Sequence, residues 1–172
     1  MRRQLKRKDF RRDWDRKVKE TRSIMNHMIR CAAGAAACLF LAAAAGQDIY
    51  RRQVSLFLPA AFLLPGLFCC FWRLAAEGGD LYMEAAALLP GCGLCLLAGL
   101  SDGKVGWGDG LCTLILGLLA GAGPCIFAVS AGLLLLSLLC VFLLALRKAD
   151  RNSRMPFLPF LAAGYILYLL FD

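Results

Sequence analysis

Charge is what this chain has least of outside one short segment. Of its 172 residues, 19% are charged and 60% hydrophobic. A soluble domain of this size interrupts every apolar run with polar residues, so a soluble globular fold is excluded. Histidine is nearly missing: His27 is the only one and lies in a basic segment, which leaves histidine-based catalysis without material. Metal ligation is equally poorly supplied. Cys92 and Cys95 form one CxxC, but no second pair and no neighbouring histidine accompany it, so a zinc site cannot be completed. The nine cysteines are an odd number and sit almost entirely in apolar runs. They read as small apolar packing side chains rather than as a disulfide framework. No aromatic-rich basic motif of the kind nucleic-acid modules carry is present, so a nucleic-acid partner is not expected.

What charge there is has one address. Residues 1–30 hold twelve Lys or Arg against Asp9, Asp13, Asp15 and Glu20, which accounts for the whole formal excess of +8. Beyond residue 30 acids and bases balance. A basic tail joined to apolar segments is a lipid-surface or topology element.

The apolar runs are long and almost free of charge. Six can be read, at about 29–46, 54–72, 82–100, 110–122, 124–146 and 156–171. Crossing the hydrocarbon core takes about 20 helical residues at ~1.5 Å each. The second, third and fifth runs meet this, the first and sixth are somewhat short, and the fourth is too short alone. Gly121-Ala122-Gly123-Pro124 ends or kinks a helix, because residues 110–146 as one helix would measure about 55 Å. The sequence therefore predicts an all-α membrane protein, a polytopic bundle of about six transmembrane helices. It divides into a basic N-terminal tail, 1–28, and a membrane domain, 29–172. Oligomeric state is not read from it.

Parity places Asp48, after the first span, and Asp109, before the fourth, at the same membrane face. The loops on that face carry Arg51, Arg52, Lys104, Arg147, Lys148, Arg151 and Arg154, and the opposite loops carry only Arg73. The positive-inside rule then makes the aspartate face cytoplasmic. The basic tail argues the reverse, a conflict that disappears if translation starts at Met25 or Met28. A second reading takes residues 1–45 as a cleavable leader ending in Ala43-Ala44-Ala45 before Gly46.

Ionisable residues at membrane depth are expensive and default to a functional role. Asp109 sits in Gly106-Trp107-Gly108-Asp109-Gly110, where glycines let another helix or a substrate strand come close. Asp48 ends an Ala-rich stretch whose small side chains permit tight packing. Two carboxylates brought together share a proton. One neutral acid and one carboxylate can then activate water and protonate a leaving amine. The bland alternative for each is an ordinary helix-end aspartate.

Three segments, in order, resemble the type IV prepilin peptidase family of GxGD-type intramembrane aspartyl proteases. Asp48-Ile49-Tyr50-Arg51-Arg52-Gln53-Val54 is similar to that family's aspartate at a helix end. Gly106-Trp107-Gly108-Asp109 matches the GxGD signature and precedes the apolar Leu114-Ile115-Leu116-Gly117-Leu118. Met155-Pro156-Phe157-Leu158-Pro159-Phe160 is similar to the Pro-Phe-x-Pro-Phe entry into the last helix. The resemblance implies that Asp48 and Asp109 are the catalytic pair, with Gly106, Gly108, Pro156, Phe157 and Pro159 supporting the motifs. It further implies cleavage of the basic leader of a prepilin or pseudopilin precursor at the cytoplasmic face, with no metal and no cofactor. Ser55 stands where the family commonly has Pro, and Leu111 where many members have Lys. The cysteine-bearing domain of the long members is missing, so N-methylation of the product is not expected.

Other residues receive plainer expectations. Asp102, in Ser101-Asp102-Gly103-Lys104, marks a turn. Glu77, Asp80 and Glu84 serve topology or solubility on the opposite loop. Trp72, Tyr82 and Trp107 fit the interfacial aromatic belt. A signal-peptide-peptidase or presenilin type of protease would need Tyr-Asp and Pro-Ala-Leu motifs, which the chain lacks. The remaining alternative is a non-enzymatic transporter or assembly factor with both aspartates in an ion or proton path.

Overall fold

The computed structural model describes residues 2–51, 57–76, 78–101, 106–146 and 156–171, with side chains from residue 13 onward and Arg51 excepted. Expectations placed on Arg51, Arg52, Gln53, Val54, Ser55, Glu77, Asp102, Gly103, Lys104, Arg147, Lys148, Arg151, Arg154 and Met155 fall outside these residues or side chains.

Six helices make up the described chain: α1 Arg2–Arg51, α2 Phe57–Ala76, α3 Leu81–Leu100, α4 Trp107–Ala120, α5 Ala122–Ala145 and α6 Leu158–Phe171. The fold is all-α. Four of them, with α1 counted over Asp13–Tyr50, are long and apolar enough to cross a bilayer. The chain is a membrane protein. Helices α4 and α6 have 14 residues each, about 21 Å of helix against a hydrocarbon core of ~30 Å.

The chain forms two compact units, Met1–Ala32 and Ala33–Asp172, and α1 contributes to both. In the first, Thr21 Oγ1 donates to the Lys17 carbonyl at 2.9 Å, and nearly every described side chain, from Asp13 on, is exposed.

The second unit has a contiguous core. Ala33, Ala37, Phe40, Leu41 and Ala44 are buried along α1, at the spacing that puts them on one helical face. Phe40 meets Phe62 of α2 at 5.1 Å between ring centroids. Helix α4 is the most enclosed element. It packs against α2, α3 and α5, and Gly110, Cys112, Thr113, Ile115, Leu116, Gly117, Leu118 and Leu119 are all buried. Helices α2, α3 and α5 instead leave Leu64, Phe71, Leu89, Leu96, Leu138 and Val141 exposed, as lipid contact requires.

Two glycine seams set the closest approaches. A Cβ on Gly117 would collide with the Ala87 carbonyl of α3, and one on Gly110 would meet the Cys95 Sγ and backbone nitrogen. A Cβ on Gly164 of α6 would likewise collide with the Ala128 carbonyl of α5. Apolar side chains gain nothing by leaving lipid for a helix interface, so close backbone packing across such small residues drives association. Cys95 thus packs as expected, and Cys69, Cys112 and Cys125 are buried, whereas Cys31, Cys92 and Cys140 are exposed.

The predicted break between the fourth and fifth runs falls at Gly121. Its φ of +87° is a conformation that L side chains rarely adopt. Pro124 lies in the first turn of α5, where a missing N–H costs little. Helix α4 begins earlier than its apolar run suggested, at Trp107 rather than near residue 110. Asp109 therefore lies inside its first turn rather than ahead of it.

Candidate active site

Asp48 lies three residues from the end of α1 and is 8% exposed. Its neighbour is the start of α6. The Leu158 backbone N–H donates to Asp48 Oδ2 at 3.4 Å, in a buried setting. The bond is long, but its placement follows from the local sequence. Leu158 is the first residue of α6, and the first N–H groups of any helix lack intrahelical acceptors. Pro159 brings no N–H, so it removes one of those orphan donors. Phe157, 7% exposed, anchors the turn: its carbonyl accepts from the N–H groups of Phe160 and Leu161 at 3.0 and 3.1 Å. Leu158 is itself fully buried. Pro156 and Pro159 stay partly buried at the edge of this turn.

Asp109 is set by the glycine motif. Gly106 caps α4 with extended backbone, φ −73° and ψ 128°, and accepts the Asp109 N–H at 3.1 Å. A Cβ at Gly106 would sit 3.2 Å from Asp109 Oδ2, so glycine there leaves room for the carboxylate to fold back over the helix start. Gly108, partly buried in the same turn, has no side chain to compete for that space. Thr113, fully buried, donates its hydroxyl to the Asp109 carbonyl at 2.8 Å. Trp107 is 58% exposed, and a Cβ on Gly99 of α3 would come within 3.7 Å of its indole, in keeping with an interfacial side chain.

The structure places the two aspartates within electrostatic reach of one another, and both act on the thiol of Cys112. Cys112 lies three residues beyond Asp109, on the same side of α4, and is fully buried. The start of α6 touches Asp48 and the start of α4 carries Asp109, so three segments distant in sequence come within electrostatic reach of one another. Such an arrangement can hold one proton between two carboxyl groups and present the pair to a water. Among the described residues, no three His, Cys, Asp or Glu side chains group as a metal would need.

The other end of α4 holds what the sequence did not reveal. Arg73, in the last turn of α2, pairs with Glu84 of α3 through two parallel bonds, Nε to Oε1 at 2.7 Å and Nη2 to Oε2 at 2.8 Å. The same guanidinium donates to the Leu118 carbonyl at 2.9 Å and the Leu119 carbonyl at 3.0 Å, which are among the orphan acceptors at the α4 C-terminus. The pair is mostly shielded, at 16% and 12% side-chain exposure. The expectation that Glu84 serves solubility is thus corrected. It neutralises a cation that ties α2, α3 and α4 together. Asp80 caps α3 instead, its carbonyl accepting from Met83 and Glu84. The signal was present, in a base closing one helix and an acid opening the next across a short turn. The carbonyl partners, about 45 residues away in sequence, left no local trace.

No protein-family model matches the chain, and no curated protein and no solved structure matches it. The likeness to the prepilin peptidases therefore rests on the three sequence segments themselves.

Proposed function

We propose that the chain is an aspartyl endopeptidase of the prepilin peptidase kind, working at the cytoplasmic face of the membrane in which it is embedded. The observation that carries this reading is that buried Asp48 takes the Leu158 N–H and lies within electrostatic reach of partly buried Asp109. It unites the three segments on which the resemblance rests. Asp48, which receives the backbone N–H, takes the role of base, and Asp109 that of acid. Water adds to the scissile carbonyl carbon while Asp48 accepts its proton and Asp109 gives its own to the carbonyl oxygen. The tetrahedral diol then collapses with rupture of the C–N bond. The proton on Asp48 passes to the leaving amine, and Asp109 regains one from the diol hydroxyl, so the pair returns to its starting state.

The substrate class follows from the resemblance: a prepilin or pseudopilin whose basic leader precedes a long apolar helix. The glycine-lined start of α4, with Gly106 and Gly108 beside Asp109, offers the low side-chain bulk that an extended peptide needs to approach a carboxylate.

The test is co-expression with a prepilin, comparing wild type with Asp48→Asn and Asp109→Asn at matched membrane levels. Leader removal by wild type, and by neither variant, is the expected result. Processing with either aspartate neutralised sinks the two-carboxylate mechanism. A wild type that cleaves no prepilin, while Asp→Asn changes alter ion or proton flux in vesicles, moves the assignment to the transporter reading.

A further inference from the structure

The first unit carries a feature that a peptidase does not need. Trp14, Val18, Met25 and Met28 are 61%, 45%, 42% and 66% exposed. With Thr21 between them they recur at i, i+4, i+7, i+11 and i+14, one stripe of a helix with 3.6 residues per turn. Arg16 and Lys19 are also exposed and project from the opposite side at that periodicity, with exposed Arg22 on the flank of the stripe. Residues 1–30 together carry the chain's entire +8 excess. An exposed tryptophan in line with aliphatic and thioether side chains is costly in water. Seven charged residues between 13 and 22 are equally costly in hydrocarbon. Residues 13–28 are themselves nearly balanced, four bases against three acids, and the excess of +6 lies in residues 1–12 of the same helix. An amphipathic helix so flanked satisfies both halves in the headgroup region of a bilayer, apolar stripe inward and cations against anionic phosphates. The stripe also fits two heptads of a coiled coil, but two heptads fall short of a stable seam, and a parallel copy would bring together two N-terminal segments, 1–30, of +8 each.

We propose that residues 13–28 form an interfacial helix that seats Trp14, Val18, Met25 and Met28 in the surface of an anionic phospholipid leaflet. The partner is the lipid headgroup layer, and this inference stands independently of the peptidase reading.

The test uses the full chain reconstituted in vesicles, with the Trp14 signal taken as the difference between wild type and Trp14→Phe. In phosphatidylglycerol-containing vesicles with brominated acyl chains, the Trp14 emission is expected to be blue-shifted and strongly quenched. The quenching should fall several-fold in all-phosphatidylcholine vesicles, at high salt, and in Arg16→Glu/Arg22→Glu. Three results overturn the proposal: a red-shifted Trp14 that bromolipids leave unquenched; quenching indifferent to headgroup charge; and shielding from aqueous acrylamide without bromolipid quenching, the signature of a protein partner covering the stripe.

Discussion

Asp48 and Leu158 are separated by 110 residues, and their hydrogen bond belongs to the backbone. It can therefore be removed without touching a second side chain. Leu158→Pro deletes the N–H at the first position of a helix, where proline's fixed φ is otherwise welcome. Leu158→Ala keeps the N–H and deletes a fully buried side chain. Alanine should lower stability by about 2–5 kcal/mol while folded enzyme keeps its kcat. Proline should lower kcat about tenfold, the low end for a lost bond to a charged group, with KM little changed. Equal kcat values in the two variants, measured on leader cleavage per folded molecule, would remove the N–H from the mechanism. Gly106 gives a second residue-level test. Its backbone conformation suits alanine, so Gly106→Ala adds only a Cβ at 3.2 Å from the Asp109 carboxylate. Displacement of that carboxylate should cost about 10- to 100-fold in kcat with thermal stability in detergent essentially unchanged. Full activity would show that the glycine serves something other than room for Asp109. Both aspartates were legible in the sequence because charged residues stand out in apolar runs. The Leu158 N–H was not, since every residue but proline has one and only the fold decides where it points.

At the scale of elements, the short helix α4 has its two ends treated differently. An acid stands in its first turn and a cation binds its last carbonyls, both favourable with the helix dipole. Asp109 and the Arg73–Glu84 pair are thus separated by about 16 Å of one rigid helix. Arg73→Ala leaves the shielded Glu84 charge with only the Cys70 thiol beside it and two carbonyls without a donor, and should destabilise by about 3–5 kcal/mol. Adding Glu84→Ala removes the stranded charge and should restore part of the loss. A double variant no better than Arg73→Ala, by thermal unfolding in one detergent, would mean that the carbonyl contacts carry the effect. The glycines sort in the same way. Gly164→Ala drives a Cβ into the Ala128 carbonyl, backbone that cannot step aside, whereas Gly93 has nothing within 4 Å. Gly93→Ala should gain up to about 1 kcal/mol from helix propensity, and Gly164→Ala should lose stability or loosen the α5–α6 pair. The sequence marked the α4–α5 break correctly because Gly-Pro punctuation is local. It misplaced the start of α4 because Trp107, Gly108 and Asp109 are not a hydrophobic run, and helix there is decided by packing against α3.

For the whole molecule, the sequence identified the class from its lack of charge, and the structure agrees that the fold is all-α and membrane-embedded. Orientation depends on which charges dominate. Cations concentrated in the loops on the aspartate side favour a cytoplasmic site, whereas the N-terminal excess favours the other arrangement. Gly78 and Gly79 link α2 to α3 beside the Arg73–Glu84 pair, at the end of α4 away from Asp109, so this turn reports the face opposite the candidate site. If the site is cytoplasmic, alkaline phosphatase fused after Gly79 should be active and green fluorescent protein at the same position dark. Deleting residues 1–24 tests what the tail contributes. If the loop cations govern, the truncated chain keeps the same reporter pattern. If the tail governs, the full chain gives the opposite pattern and the truncation inverts it. A fluorescent Gly79 fusion in the full chain would put Asp48 and Asp109 on the far side of the membrane, where a cytoplasmic leader peptidase cannot work.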